Sequence, residues 1–165
     1  MTVRQENAVE EVIGPRNTSA QQWDSWQAAF GPRDPKDGNP ADLFNPFNGD
    51  MNRNIADSYR RFDLAECVRR DPDRFGPIFQ EKIRILVGSA DEWNLGEAVA
   101  KLRDALKEAD YPVALDPGAD GALGAITIVI GRDHGTILRT SQAAARSSQM
   151  LQVLRKSGHV PPAAP

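Results

Sequence analysis

The chain contains few of the residues on which several kinds of functional site depend. Cys67 is the single cysteine, so no internal disulfide can form. The two histidines and the dispersed acidic residues do not match the spacing of metal ligands, and no dinucleotide fingerprint is present, so we expect neither a metal nor another cofactor. Lys and Arg form no basic run, and together with the net charge of -3 this disfavours a nucleic-acid partner.

Two further absences concern membranes and catalysis. No apolar run approaches the length of a membrane span, and Glu6, Glu10 and Glu11 lie where a secretory signal would need an apolar core. As written, the chain is expected to be soluble and cytoplasmic, although a signal on a longer gene product would leave its compartment open. The motif Gly-x-Ser-x-Gly, which presents the nucleophile of many serine hydrolases, occurs nowhere in the 165 residues.

The composition is that of an ordinary globular protein, with 40% hydrophobic and 26% charged residues. The pattern changes near Gln80, where a sequence rich in Pro, Gly, Asn and Asp gives way to regular apolar periodicity. We predict a loop-rich, partly helical segment over residues 1–79 and an α/β unit over residues 80–165. The predicted fold class is therefore α/β, with the order strand, helix, strand, helix in the second part.

The first segment combines a turn-rich stretch with aromatic residues at helical spacing. Residues 31–49 predict an ordered loop, and they lack the alternating oxygen ligands of a calcium loop. Trp23, Trp26 and Phe30 recur on one helical face, which predicts a helix whose aromatic rings face the core. The alternative is that Trp23 or Trp26 lines an acyl pocket. Apolar residues over 55–68 predict one or two short helices.

The second part shows a clearer alternation of elements. Apolar runs at 83–87 and 125–130 predict two short strands, each followed by a glycine. Between them, an apolar stripe predicts a helix capped by Asn94, and such a crossover makes the two strands parallel. A last helix over residues 140–156 is predicted to pack on the sheet through Ala144, Met150, Leu151 and Leu154.

Two side chains with acid–base chemistry follow these strands. Asp91 comes after the first strand and His134 after the second. Since loops at the carboxyl ends of parallel strands converge on one crevice, we predict that Asp91 and His134 meet there and act as catalytic acid and histidine. Two alternatives stay open: Asp91 as a cap of the following helix, and His134 as a loop histidine bonded to a neighbouring carbonyl. Asp133 is interpreted as a turn residue.

Several motifs carry a resemblance that covers nearly the whole chain. The second part has Gly-Ser-Ala-Asp at 88–91 after its first strand and Gly-Arg-Asp-His at 131–134 after its second. The first part has Trp-x-x-x-Phe-Gly-Pro from Trp26, an Asp-Gly-x-Pro turn from Asp37, and Tyr-Arg-Arg-Phe-Asp from Tyr59. These motifs resemble the carboxyl-terminal part of α/β-hydrolases, specifically bacterial esterases of the esterase D type.

The resemblance implies a serine ester hydrolase in which Asp91 orients His134, with small esters as substrates. It also implies that the nucleophile serine and the oxyanion donors come from an upstream segment or a partner chain, so that the chain is inactive alone. The acid loop departs from the relatives' Gly-Asp-x-Asp, because Ser89 replaces one carboxylate and Glu92 is a second candidate acid. Ser89 is not expected to be a nucleophile, because it lacks the flanking glycines of an elbow.

Two functional hypotheses of different classes follow. The first is the carboxyl-terminal portion of a serine esterase, whose exposed sheet edge favours self-association. The second is a non-catalytic α/β module, a decayed hydrolase, that binds a small molecule or a protein at the same edge of the sheet. Replacement of His134 separates the two, because only the esterase needs its imidazole.

Overall fold

The computed structural model describes residues 2–113 and 126–161, and contacts divide the chain between Asp63 and Leu64 into two compact units. The elements of the N-terminal unit are α1 (Val3–Ile13), α2 (Gln22–Phe30), α3 (Arg53–Tyr59) and a 3-10 turn (Arg60–Phe62). Those of the C-terminal unit are α4 (Leu64–Arg70), α5 (Pro72–Glu81), β1 (Ile85–Gly88), α6 (Leu95–Glu108), β2 (Ile126–Val129), a 3-10 turn (Ile137–Arg139) and α7 (Ser141–Lys156). The described residues thus mix helix and strand, in general agreement with the predicted α/β class.

The core of the C-terminal unit forms where α4 and α5 pack with α6 and β2. Leu102, Ala105 and Leu106 from α6 are at most 2% exposed, as the apolar stripe predicted. The rest of the core comes from the neighbouring elements, through Ala65, Val68, Phe79 and Ile126. Since α4 and α5 supply core residues, they belong with the strands by packing, whereas the composition of the chain changes near Gln80, at the end of α5.

The two strands pair in parallel, with Ile85 opposite Ile126 and Gly88 opposite Val129. This confirms the parallel arrangement predicted from the sequence. Among the described residues the sheet consists of these two strands. The loops that follow β1 and β2 therefore leave the sheet at the same edge, and Gly131 turns the chain after β2 with a φ of 71°. The connection over residues 114–125, including the predicted strand start at Ala125, lies outside the described residues.

The last helix lies where the sequence predicts it, but its packing differs. Ala144, Met150 and Leu151 are exposed and Leu154 is half-buried, so the prediction that these four residues pack on the sheet is wrong. A pair of short strands offers too little apolar surface to cover the face of a helix this long. α7 is held near its start instead, where the Arg146 guanidinium donates to the hydroxyl of Thr127 at 2.7 Å.

In the N-terminal unit, residues 33–51 form two successive hairpins of the same construction. Asp34 and Asn45 each begin a turn, and each side-chain oxygen accepts the N–H two residues further on, at 2.9 Å and 2.8 Å. Each turn then closes at a glycine with positive φ, 77° at Gly38 and 80° at Gly49. The ordered loop predicted over residues 31–49 is thus a repeated Asx-Pro-x-Asx-Gly turn.

Two of the three aromatic rings of α2 lie at the surface, whereas Trp23 is half-buried. Trp26 and Phe30 are 36% and 40% exposed, so the prediction that they face a core is wrong. They pack on other rings instead: Trp26 stacks on Tyr59 with 4.4 Å between ring centroids, and Phe30 meets Phe62 edge to face at 5.2 Å. These rings form a cluster that is half open to solvent.

The buried side chains of α2 are polar, and a carboxylate from α1 explains part of this pattern. Glu10 is 4% exposed and accepts the N–H groups of Trp23 at 3.0 Å and Asp24 at 2.9 Å. These donors belong to the first turn of α2, where Gln21 makes no capping hydrogen bond with its side chain. Burial raises the pKa of Glu10, and the nearby Asp24 carboxylate adds to the rise, against the lowering effect of the two N–H bonds.

We expect Glu10→Ala to lower the free energy of unfolding of the N-terminal unit by about 1 to 3 kcal/mol, because two N–H groups lose their acceptor. Glu6→Ala, in the first turn of α1, is the control, with an expected change below about 0.5 kcal/mol. Urea unfolding followed by tryptophan fluorescence measures both changes. Equal losses in the two variants would contradict a capping role for Glu10.

The same pair of variants tests the sign of the pH effect. Because the folded pKa of Glu10 lies above its ordinary 4.5, the folded unit takes up this proton before the unfolded chain does. The contribution of Glu10 to stability should therefore become more favourable as pH falls from neutral through the raised pKa, and level off below 4.5. Glu10→Ala should lose this pH dependence and Glu6→Ala should keep it.

Candidate functional site

The candidate site is formed by the two loops that follow β1 and β2. We call residues 89–94 the acid loop and residues 130–136 the histidine loop. The N–H of Ser89 donates to the carbonyl of Val129, and the N–H of Ala90 to that of Arg132, both at 3.0 Å. This close approach depends on Gly88, because a Cβ atom there would overlap the carbonyl oxygen of Arg132. The glycine after the first strand therefore allows the two loops to touch.

The two residues predicted from the sequence, Asp91 and His134, lie in contact within this loop pair. Asp91 Oδ2 is 2.9 Å from His134 Nδ1. The Asp91 side chain is 2% exposed, whereas that of His134 is 55% exposed. Because an ionised carboxylate can only accept, the neutral ring carries its proton on Nδ1 in this bond. The free lone pair of the ring then lies on Nε2, so this nitrogen can accept a proton as a general base.

The second oxygen of Asp91 binds its own loop. Oδ1 accepts the N–H of Trp93 at 3.0 Å and that of Leu95, the first residue of α6, at 3.5 Å. One side chain is thus both the partner of the histidine and a cap of the following helix, the two interpretations that the sequence left open. The prediction that Asn94 caps α6 with its side chain is wrong, because Asn94 has a φ of 58° and makes no capping hydrogen bond.

The hydrogen bonds of Asp91 also fix its charge. Burial alone would raise the pKa of this carboxyl group, but the bonds from His134, Trp93 and Leu95 together outweigh burial and hold the pKa below its ordinary 3.8. Asp91 is therefore ionised at neutral pH. This is the state in which it can accept the proton of Nδ1 and hold the ring.

Glu92 and Ser89 bind the main chain of the histidine loop. Glu92 Oε2 accepts the N–H of His134 at 3.1 Å, and Ser89 Oγ accepts the N–H of Gly131 at 2.9 Å. Of the two candidate acids, Asp91 therefore binds the imidazole ring of His134, and Glu92 binds the backbone N–H of the same residue. The motif had named Glu92 as a second candidate acid and Ser89 as the replacement of a carboxylate, but the sequence did not predict these two contacts.

Asp133 folds the chain into a turn directly beside His134. Its Oδ1 accepts the N–H of Thr136 at 2.7 Å and the Thr136 hydroxyl at 2.8 Å. These two bonds to Thr136 are the main reason that the pKa of Asp133 lies below its ordinary 3.8. The interpretation of Asp133 as a turn residue agrees with these contacts.

Residues 2–113 and 126–161 contain neither a metal-binding cluster nor a membrane-spanning helix. No group of three or more His, Cys, Asp and Glu side chains in these ranges is arranged to hold a metal ion. None of the helices there combines the length and the hydropathy that a bilayer span requires.

Comparisons of the chain with protein-family models, with curated protein sequences and with solved structures give no significant match. The esterase resemblance therefore stays a prediction made from the motifs of this sequence. The geometry of the two loops is the feature from which a function can be inferred.

Replacing Asp91 with Asn should remove a pH-dependent part of the stability of the C-terminal unit. Because the folded pKa of Asp91 is below 3.8, its charge stabilises the folded state above that value, and this contribution is lost as pH falls through the folded pKa. The difference in free energy of unfolding between the natural protein and Asp91→Asn should therefore shrink between about pH 5 and about pH 2.

Urea titrations followed by circular dichroism over a pH series measure this difference. Asp104→Asn is a suitable control, because that carboxylate is 56% exposed on α6 and pairs with its neighbour Arg103. A difference for Asp91→Asn that does not change with pH would contradict the lowered pKa.

Proposed function

We propose that this chain supplies the acid and the histidine of a serine ester hydrolase with α/β-hydrolase architecture. Asp91 orients the imidazole and His134 moves the proton. The observation that carries the proposal is the 2.9 Å bond between a buried carboxylate and a half-exposed histidine, at matching ends of two parallel strands. The order acid, then histidine, along the chain also supports it.

The chemistry follows from the tautomer of His134. With its proton held on Nδ1 by Asp91, the ring presents a lone pair on Nε2 that can accept the proton of a serine hydroxyl as the oxygen attacks an ester carbonyl. The imidazolium formed in this step is stabilised by the ionised Asp91. It then gives its proton to the leaving alkoxide, and the same two residues repeat the transfer with water to release the acid.

The nucleophile in this proposal is a serine outside these 165 residues, on an upstream segment or a partner chain. Ser89 is a poor substitute, because its hydroxyl already accepts the N–H of Gly131 and its neighbours at the elbow positions are Val87 and Asp91. The same outside segment supplies the oxyanion donors. The resemblance suggests small esters as substrates, and the chain alone should not hydrolyse them.

The decisive test labels the protein, isolated from its source, with a fluorophosphonate that reacts with activated serines. We expect an adduct on a species heavier than 18.1 kDa, or on a co-purifying partner. His134→Ala, introduced at the natural locus, should slow labelling by about a hundredfold or more, because the general base is lost.

The matched control is His159→Ala. His159 is exposed, and among the described residues its ring is bonded to the nearby Ser157 hydroxyl at 2.8 Å, so labelling should keep the natural rate. An unlabelled product of 18.1 kDa would overturn the proposal and favour the non-catalytic binding module.

The architecture also predicts how the isolated chain behaves. A parallel pair of strands is marginal alone, and Ile130 and Leu138 beside it are 83% and 77% exposed. We expect the chain to self-associate with rising concentration, giving an average mass above 18.1 kDa by light scattering. Changing Ile130 and Leu138 to Lys should reduce the association. Val12→Lys, at an 86% exposed position of the N-terminal unit, should leave it unchanged, and a monomer at all concentrations would contradict the prediction.

A further inference from the structure

We infer that Glu92 is a positioning residue for His134: its carboxylate holds the main chain of the histidine so that the ring stays against Asp91. The contact is the bond from the N–H of His134 to Glu92 Oε2 at 3.1 Å, between residues far apart in sequence. The consequence for catalysis rests on the proposed function. The contact by which Glu92 holds the backbone of His134 does not depend on that function.

The exposure of His134 explains why its position needs an additional contact. With 55% of its side chain open to solvent, the ring has little packing to restrict its rotation. The bond from the ring to Asp91 does not itself hold the His134 backbone, and the other bonds between the loops lie at Gly131 and Arg132. A second bond, to the N–H of the same residue, fixes the backbone from which the ring projects.

The arrangement of the acid loop supports this assignment. Its side chains reach the histidine loop at three points: Ser89 binds the N–H of Gly131, Asp91 binds the ring of His134, and Glu92 binds the N–H of His134. Two of these contacts involve the same histidine, and both acceptors are carboxylates. Hydrogen bonds to carboxylates are stronger than those to neutral acceptors, so Asp91 and Glu92 together restrain one residue from two sides.

Glu97, another exposed carboxylate of the same unit, has a different kind of partner from Glu92. Glu97, on the exposed face of α6, pairs with Lys101 one turn away at 2.9 Å, and both side chains are more than 60% exposed. Such a pair contributes little and binds no loop. Glu97 is therefore a matched control for the loss of an exposed carboxylate without the loss of a contact to His134.

The structural test measures amide hydrogen exchange at His134 and the tautomer of its ring by nuclear magnetic resonance on the full chain. In Glu92→Ala we expect exchange of the His134 amide to accelerate by about tenfold and the fraction of ring protonated on Nδ1 to fall. Glu92→Gln should restore both values to within about twofold, because its amide oxygen can accept the same N–H. Glu97→Ala should match the natural protein.

Unchanged exchange and tautomer in Glu92→Ala would overturn the inference, as would failure of Glu92→Gln to restore them. A merely structural role for Glu92 would lower the melting temperature without moving the ring tautomer, and that result also counts against positioning.

Fluorophosphonate labelling of the native protein then separates this inference from the proposed function. If His134→Ala does not slow labelling, the proposed function fails, while the exchange data still decide whether Glu92 holds His134. If His134→Ala slows labelling and Glu92→Ala does not, the proposed function stands and the positioning role fails. Slower labelling in Glu92→Ala, by about tenfold, with recovery in Glu92→Gln, supports both.

Discussion

The arrangement of the candidate site depends on one buried carboxylate. Asp91 uses Oδ1 to bind the N–H groups of its own loop and the start of α6, and Oδ2 to bind His134 from the neighbouring loop. Burying a charge is unfavourable unless hydrogen bonds replace its hydration, and these three bonds do so. The cap of the helix and the orientation of the histidine are thus linked, because a change that removes one oxygen's partners also shifts the other.

A comparison within the chain shows what sets the charge state of such a carboxylate. Glu10 and Asp91 each accept two N–H groups at the beginning of a helix, α2 and α6 respectively. Their pKa values nevertheless move in opposite directions. Burial raises the pKa of both groups; for Glu10 the nearby Asp24 carboxylate adds to that rise, whereas for Asp91 the bonds from His134 and two N–H groups outweigh it. Two carboxylates with similar capping contacts therefore differ in charge state. Glu10 takes up a proton more readily than an ordinary glutamate, and Asp91 stays ionised.

The sequence predicted the elements that depend on short-range pattern and on the geometry of parallel strands. Two β-branched runs ending in glycine specified β1 and β2, and the rule that loops converge at the carboxyl edge brought Asp91 and His134 together. The prediction of the helix cap failed, because Asp91, three residues before Asn94, accepts the first N–H of α6 instead. Asn94 has the spacing of a helix cap, but the carboxylate of Asp91 already occupies that position.

The surface of the protein was harder to predict for a related reason. Trp26 and Phe30 have the spacing of a buried helical face, yet the buried side chains of α2 are Asp24 and Gln27. Gln27 accepts the N–H of Leu43 at 2.7 Å, and nothing in local periodicity reveals such a partner. Hydrophobic patterns assume that burial is apolar, and they mislead wherever hydrogen bonds let polar side chains into the interior.

If the proposed function holds, the exposure of His134 requires that the pair be one part of a larger site. In water an interaction between charges a few ångströms apart is worth about 1 kcal/mol, and this rises severalfold when solvent is excluded. Strong stabilisation of the imidazolium by Asp91 thus requires something to cover the ring, more than half of whose side chain is open to solvent in this chain. In the proposed hydrolase, the serine and its oxyanion donors would have to approach the same face to reach Nε2. Whatever brings the nucleophile would therefore also exclude the water, and a single docking step would supply both conditions that the pair lacks alone.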